Sequence, residues 1–236
     1  MVMTTTKTQF DSVVEFMSVA GQAVNTAWTN PTTKVGKFRL RLIDEEMNGK
    51  NELFDSAESD NLEGILDGIC DVLYVAYGAY ATFGLDAIEQ EIYNQIPNVK
   101  SEALTISTAY AKQRHVQDGY NQTERGLLQG DSRTVQIGLN NIVLSVIGIA
   151  HAHNFDLVGA FNEVHQSNMS KFCTSKESAL ADIDVRVSQG KEDYVGATVG
   201  EVTHDGKTFY VINRAVDGKV LKGTGFFEPD LSKFIA

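Results

Sequence analysis

Leu66-Asp67-Gly68-Ile69-Cys70-Asp71-Val72-Leu73-Tyr74-Val75-Ala76-Tyr77-Gly78 is the stretch on which the fold turns. Leu62, Leu66, Ile69, Leu73 and Ala76 recur at three- and four-residue intervals, the period of a helix with one face toward a core. Beside them Glu63, Asp67 and Asp71 repeat every four residues as one acidic stripe. Gly84 can close the helix as a C-terminal cap, so the spacing predicts a helix from about Leu62 to Phe83. Like charges four residues apart cost about 0.2–0.5 kcal/mol per pair. Asp71 lies among Ile69, Cys70, Val72 and Leu73, a segment too apolar to be mostly exposed, and a carboxylate there needs a partner. A divalent cation is one such partner, because Mg²⁺ takes hard oxygen ligands. A solvated acidic face is the other reading, and this helix alone leaves both open.

Upstream, a helix is expected from about Lys34 to Phe54. It carries the adjacent Glu45 and Glu46, with Glu52 two turns after Glu45 on nearly the same face. Glu58-Ser59-Asp60-Asn61 reads as a turn, and Pro31 and Pro97 bracket this first helical block. Before Pro31, Phe10, Val13, Val14, Met17 and Val24 suggest a first helix. Further helices are expected near Ser101 to Asp118, Ser132 to Ala152 and Asp156 to Ser167. The pattern then changes: Tyr194-Val195-Gly196, Thr208-Phe209-Tyr210-Val211-Ile212 and the Asp217-Gly218 turn predict a hairpin of two or three strands. The fold class is therefore all-α with a small C-terminal β element. The division expected is a helical core over residues 1–170, with helix pairs at about 34–95 and 101–168, and an extension over 171–236.

Sliding the chain by 70 residues sets Asp71 over Asn141, Gly78 over Gly148 and Asp86 over Asp156. Long helix, turn and short helix recur, as two helix pairs of a four-helix core would require. The acids do not recur, since Ile137 and Asn141 stand where the first copy has Asp67 and Asp71.

The 236 residues are 42% hydrophobic and 22% charged, an ordinary globular composition. The apolar run Ile142 to Ala150 is broken by Ser145 and Gly148 and reads as a core helix, with no membrane partner expected. Residues 1–9 lack the pattern of a secretion signal and read as a tail. Cys70 and Cys173 have neither the number nor the spacing for a disulfide framework or a zinc site, which makes a reducing cytoplasm the simplest location. His151 and His153 are two apart and point to different helix faces, so no zinc site is assigned to them. A net charge of −11 argues against a nucleic acid polymer as ligand. It does not argue against a triphosphate, which arrives with Mg²⁺.

Leu42-Ile43-Asp44-Glu45-Glu46, the stretch from Leu66 to Gly78, and Phe83-Gly84-Leu85-Asp86 together resemble the all-α nucleoside triphosphate pyrophosphohydrolases, the superfamily of MazG, the phosphoribosyl-ATP pyrophosphohydrolases and the dimeric dUTPases. Glu163-Val164-His165-Gln166-Ser167-Asn168-Met169-Ser170-Lys171 and Asp217-Gly218-Lys219-Val220-Leu221-Lys222-Gly223 resemble the C-terminal part of its phage-type, phosphoribosyl-ATP pyrophosphohydrolase-like branch. The resemblance spans about residues 42 to 223. It implies a MazG-like bundle, Mg²⁺ (or Mn²⁺) as cofactor and Glu45, Glu46, Asp67 and Asp71 as metal ligands. It also implies a catalytic base among Glu45, Glu46 and Glu52, and substrate contacts from His165, Asn168, Lys171 and Lys222. The superfamily has a third glutamate three residues after the pair. Gly49 stands there in this chain, with Glu52 as the candidate replacement. The second helix pair fills the stretch between Asp86 and Asp156, where short members run on almost directly, so one chain can reproduce what those members achieve by dimerising. A homodimer of this chain stays open.

The activity implied is hydrolysis of a nucleoside triphosphate to the monophosphate and pyrophosphate, in the host cytoplasm if the chain is phage-encoded. The alternative is a non-catalytic helical module that senses a nucleotide or binds a protein, with Gly49 as its best support. Base and sugar preference are not legible.

Overall fold

The computed structural model describes residues 7–88 and 106–235, with side chains of 106–112 left aside. The N-terminal lead through Thr6, the boundary at Pro97 and the expected helix start at Ser101 lie outside the described residues. The described chain is mostly helical. In order come α1 (Gln9–Val19), α2 (Thr33–Asn48), α3 (Leu53–Glu58), α4 (Leu62–Phe83), α5 (Ile106–Gln129), α6 (Ser132–Ala152), α7 (Leu157–Met169) and α8 (Lys176–Ser188). An antiparallel hairpin follows, β1 (Thr198–His204) and β2 (Lys207–Asn213).

Two compact units divide the chain. The first holds residues 1–14, 24–164 and 230–236, and the second 15–23 and 165–229. The boundary therefore falls at Val164/His165, six residues before the one expected, and the second unit also recruits part of α1.

In the first unit α4 is the central helix. Leu66, Ile69, Leu73, Ala76, Tyr77, Tyr80 and Phe83 are fully buried, while Leu62, expected on the same face, is exposed at the first turn. Tyr74 stacks on Phe161 of α7 at 5.6 Å, and Phe10 meets Tyr77 edge-on. Asn61 caps α4 by accepting from the Gly64 amide, and Gly84 ends it in the left-handed conformation (φ 67°). Burial of these aromatic and aliphatic side chains, each worth about 1.5–3 kcal/mol, fixes which face of α4 is left for the acids.

The 70-residue repeat has a structural counterpart. α4 starts at Leu62 and α6 at Ser132, capped by Asn61 and Asp131 respectively. A Cβ on Gly68 would stand 2.6 Å from the Leu53 Cα, and a Cβ on Gly138 would stand 2.6 Å from the Thr123 amide nitrogen. Each glycine thus lets the preceding helix of its pair lie backbone to backbone. Length and composition alone would let α6 cross a membrane, yet 56% of its apolar window is buried, as in a core helix. The pairs differ at one place: α5 runs unbroken, whereas its counterpart is interrupted between Asn48 and Leu53. The single helix expected over Lys34 to Phe54 is therefore two, because Asn51 turns into the left-handed region (φ 65°).

The second unit packs α8 on the hairpin through Cys173, Ala179, Tyr194, Ile212 and Leu221. Helix α8 had no counterpart among the expected elements. The hairpin turn is Asp205-Gly206, both at positive φ as a tight hairpin requires. Asp217-Gly218 makes a second turn that brings Val220 back to Asn213 in a single bridge.

Gly68→Ala should cost about 1–3 kcal/mol by forcing α3 away from α4. Urea unfolding of the variant beside the parent chain measures the loss.

Candidate metal centre

The interruption between α2 and α3 is where the acids converge. Carboxylate oxygens of Glu46, Glu52 and Asp71 all lie within 4.8 Å of one another. Glu46 comes from the last turns of α2 and Asp71 from the middle of α4. Glu52 is the N-cap residue of α3, where its side chain makes no capping hydrogen bond. All three are half-buried.

Gly49 explains why Glu52 reaches the cluster. A Cβ on Gly49 would lie 2.7 Å from the Glu52 Cγ, so the Glu52 side chain folds back through space that any other residue at 49 would take. The short connection is tied down locally: the Asn51 amide donates to the Asp55 carboxylate (2.7 Å) and the Ser56 hydroxyl to the Asn51 carbonyl (2.9 Å). Gly68 completes the placement by seating Leu53, the residue after Glu52, against α4.

Glu52 sits where its protonated form is favoured. Burial holds its carboxyl above the usual range, the charge of Asp67 raises it further, and the Glu46 carboxyl within hydrogen-bond reach partly offsets both. Asp67 is thus an electrostatic neighbour of the trio, half-buried one turn before Asp71. Glu63, first of the acidic stripe, is exposed.

Glu45 departs from the ligand set that the resemblance implied. Its carboxylate is 3.6 Å from the Arg41 guanidinium and about half exposed, outside the group formed by Glu46, Glu52 and Asp71. Adjacent helical residues diverge by about 100°, so the two members of a Glu-Glu pair leave the helix in different directions. The resemblance also gave substrate contacts in the second unit. There His165 sits 2.9 Å from the Glu15 carboxylate of α1, and the Lys171 ammonium donates to the Asn168 side chain. Lys222 pairs with Glu228 at 2.9 Å.

The donor set suits a hard divalent cation. Opposite ligand oxygens around Mg²⁺, with bonds of about 2.0–2.1 Å, stand about 4.2 Å apart, close to the size of this cluster. The second repeat supplies an internal comparison. Gln122 and Asn141 occupy the places 70 residues after Glu52 and Asp71, and Asn141 donates to Gln122 at 3.1 Å. Two amides satisfy each other; two carboxylates at the same places repel, and a proton or a cation between them relieves that repulsion.

Comparison with known proteins bears on the same region. A family model described as phosphoribosyl-ATP pyrophosphohydrolase matches residues 13–96. The uncharacterized protein L479 of Acanthamoeba polyphaga mimivirus is 31% identical over 248 aligned positions, covering 97% of this chain and 96% of that protein. No solved structure matches.

A carboxyl raised by folding adds stability at low pH and loses it as pH climbs through the folded value. In cation-free buffer at pH 7, Glu52→Gln should therefore be more stable than the parent chain, with the difference closing as the solution is acidified through the carboxylate range. Denaturant unfolding at pH 7 and pH 4 reads the two differences, and a variant less stable at pH 7 would show that Glu52 is not crowded.

Proposed function

Because the chain belongs to the MazG-like, phosphoribosyl-ATP pyrophosphohydrolase-related superfamily, whose chemistry is nucleotide pyrophosphohydrolysis, we propose that it converts a nucleoside triphosphate to the monophosphate and pyrophosphate. The observation that carries this reading is the convergence of Glu46, Glu52 and Asp71 at the break between α2 and α3. Glu46 and Asp71 are the proposed ligands of Mg²⁺, for which Mn²⁺ can substitute. When bound, that ion offsets charge on the phosphates and lowers the pKa of nearby water.

Glu52 is the proposed base. Its carboxyl is already pushed toward the protonated form by burial and by Asp67, so it holds a transferred proton better than an exposed glutamate would. Water attacks the α-phosphorus in line with the bridging oxygen, the α–β bond breaks, and the electron pair leaves with pyrophosphate. The attacking water's proton ends on Glu52. Asp67, one turn from Asp71, adds negative charge that keeps the pocket selective for a substrate arriving with its cation. The overall charge of −11 fits free nucleotides in a cytoplasm better than a nucleic acid polymer.

A non-catalytic module drew its support from Gly49 in place of an acid. That support weakens once Glu52 is seen to fill the space over Gly49.

Purified protein incubated with Mg²⁺ and a panel of ribo- and deoxyribonucleoside triphosphates should release pyrophosphate from at least one. Asp71→Asn and Glu46→Gln should each lower kcat by about 100-fold or more, and Glu52→Gln by about 10²–10⁴-fold. Glu45→Gln should stay within a few-fold of the parent. Turnover of no nucleotide at all would overturn the proposal.

A further inference from the structure

The 70-residue repeat inverts a charged surface. Helices α2 to α4, Thr33–Phe83, carry ten acids, and none of the ten residues 70 places further on is an acid. Glu52 and Asp71 give way to the amides of Gln122 and Asn141. Asp44, Asp55 and Glu63 give way to Arg114, Arg125 and Arg133, and Glu58 and Asp67 to Leu128 and Ile137. All three arginines are exposed. Leu128 is 78% exposed and Ile137 40%. An exposed leucine by itself means little, because much of any protein surface is apolar. Loss of acids together with gain of arginine is the exchange in composition that separates an interface from the rest of a surface.

Three of these replacements gather at one end of the second helix pair. Helix α5 ends at Gln129 and α6 starts at Ser132, and the Asp131 amide donates to the Gly126 carbonyl (2.9 Å). A Cβ on Gly126 would stand 2.6 Å from the Val135 amide nitrogen, so the two backbones touch there. Arg125, Leu128 and Arg133 therefore lie within about one helical turn of the connection. Among the described residues neither Arg125 nor Arg133 forms an ion pair.

The corresponding end of the first pair is the complement. Where α3 turns into α4, Glu58, Asp60 and Glu63 are exposed beside Leu62, itself 42% exposed. Their carboxylates also make no ion pair among the described residues. The turn is fixed by the Asn61 amide, which donates to the Ser56 carbonyl (3.0 Å), and by the Asn61 side chain capping α4. One chain thus presents a basic end and an acidic end, each with an exposed aliphatic side chain.

Three kinds of partner could meet the basic end. A small anion answers the arginines and leaves Leu128 in water. A nucleic acid is repelled by the net charge of −11. A protein surface bearing both acids and an aliphatic group answers the whole patch, and the chain's own α3–α4 end is such a surface.

We propose that copies of this chain associate through unlike ends, the α5–α6 end of one (Arg125, Leu128, Arg133) seated on the α3–α4 end of another (Glu58, Leu62, Glu63). This is a contact between complete chains, different from the pairing of helix pairs inside one. It stands clear of the acidic cluster, since Glu63 is eight residues, about 12 Å along α4, from Asp71. Because unlike ends meet, one copy can give and receive a contact at the same time.

Sedimentation equilibrium of the full chain tests this, in EDTA so that no divalent cation joins carboxylates of two copies. At low salt the mass should rise with concentration to two chains or more. Added salt should return it toward one, because exposed charges are screened. Arg125→Glu with Arg133→Glu should weaken association about tenfold or more, Glu58→Lys with Glu63→Lys likewise, and Leu128→Ser a few-fold. Mixed in equal amounts, the two charge-reversed variants should associate with each other, since the acidified α5–α6 end of one meets the basic α3–α4 end of the other. That recovery cannot come from variants that fail to fold. A single-chain mass at every concentration, association indifferent to both charge reversals, or no recovery in the mixture overturns the proposal. So does a chain that stays single while Arg125 and Arg133 hold a DNA oligonucleotide, which assigns the basic end to nucleic acid. Pyrophosphate release is not among these readouts, so this proposal and the one above fail separately.

Discussion

Carboxylates held close together where they are half-buried repel one another, and the first unit brings three of them within 4.8 Å. Glu46 is fixed by α2 and Asp71 by α4, both anchored through a core that includes Ile43, Met47, Leu66, Ile69 and Leu73. Glu52 is brought to them by the break between α2 and α3. Two absences of a side chain make this placement: at Gly49 the Glu52 stem occupies the space, and at Gly68 the start of α3 presses on α4. Burial first, and the charge of Asp67 second, hold the Glu52 carboxyl above its usual range, with Glu46 offsetting part of the rise. Such crowding destabilises the cation-free fold, and the same crowding makes a cation's binding favourable.

The repeat shows what the fold does when no such demand exists. In the second helix pair α5 is continuous through the positions where the first pair breaks, and Gln122 with Asn141 form a neutral hydrogen bond in place of two acids. Gly68 and Gly138 keep the same role in both pairs. One helix-pair architecture thus serves twice, once bearing crowded charge and once as scaffold. The difference lies in a few side chains and one local break.

Much of this was legible in the sequence because it follows from periodicity. Helix α4 runs over Leu62–Phe83 and α6 over Ser132–Ala152, as the 3.6-residue pattern and their capping residues indicate. Helix α8 escaped because Lys176–Ser188 mixes charge with short apolar runs and has little sidedness. Asp217-Gly218 and Asp205-Gly206 look alike as turn dipeptides without the pairing partner, so the sequence does not say which of them closes the hairpin. At the site, the glutamate pair was legible but not which member faces inward, a matter of the helix's rotation against its neighbours. Glu52 was legible as a candidate because it follows the glycine standing in an acid's place. Its path over Gly49 needed coordinates. Asp182, between Ala181 and Ile183, carries the same signal as Asp71, a carboxylate in an apolar segment.

The reading proposed is that Glu46 and Asp71 hold one cation with Glu52 beside it as the base. Crystals grown or soaked with Mn²⁺ and measured at its absorption edge test this most directly. An anomalous peak within bonding distance of Glu46 and Asp71, about 2.1–2.3 Å from their oxygens, is the predicted result. A fully Mn²⁺-equilibrated crystal with no peak there, or with its ion held by Glu45 instead, would contradict it.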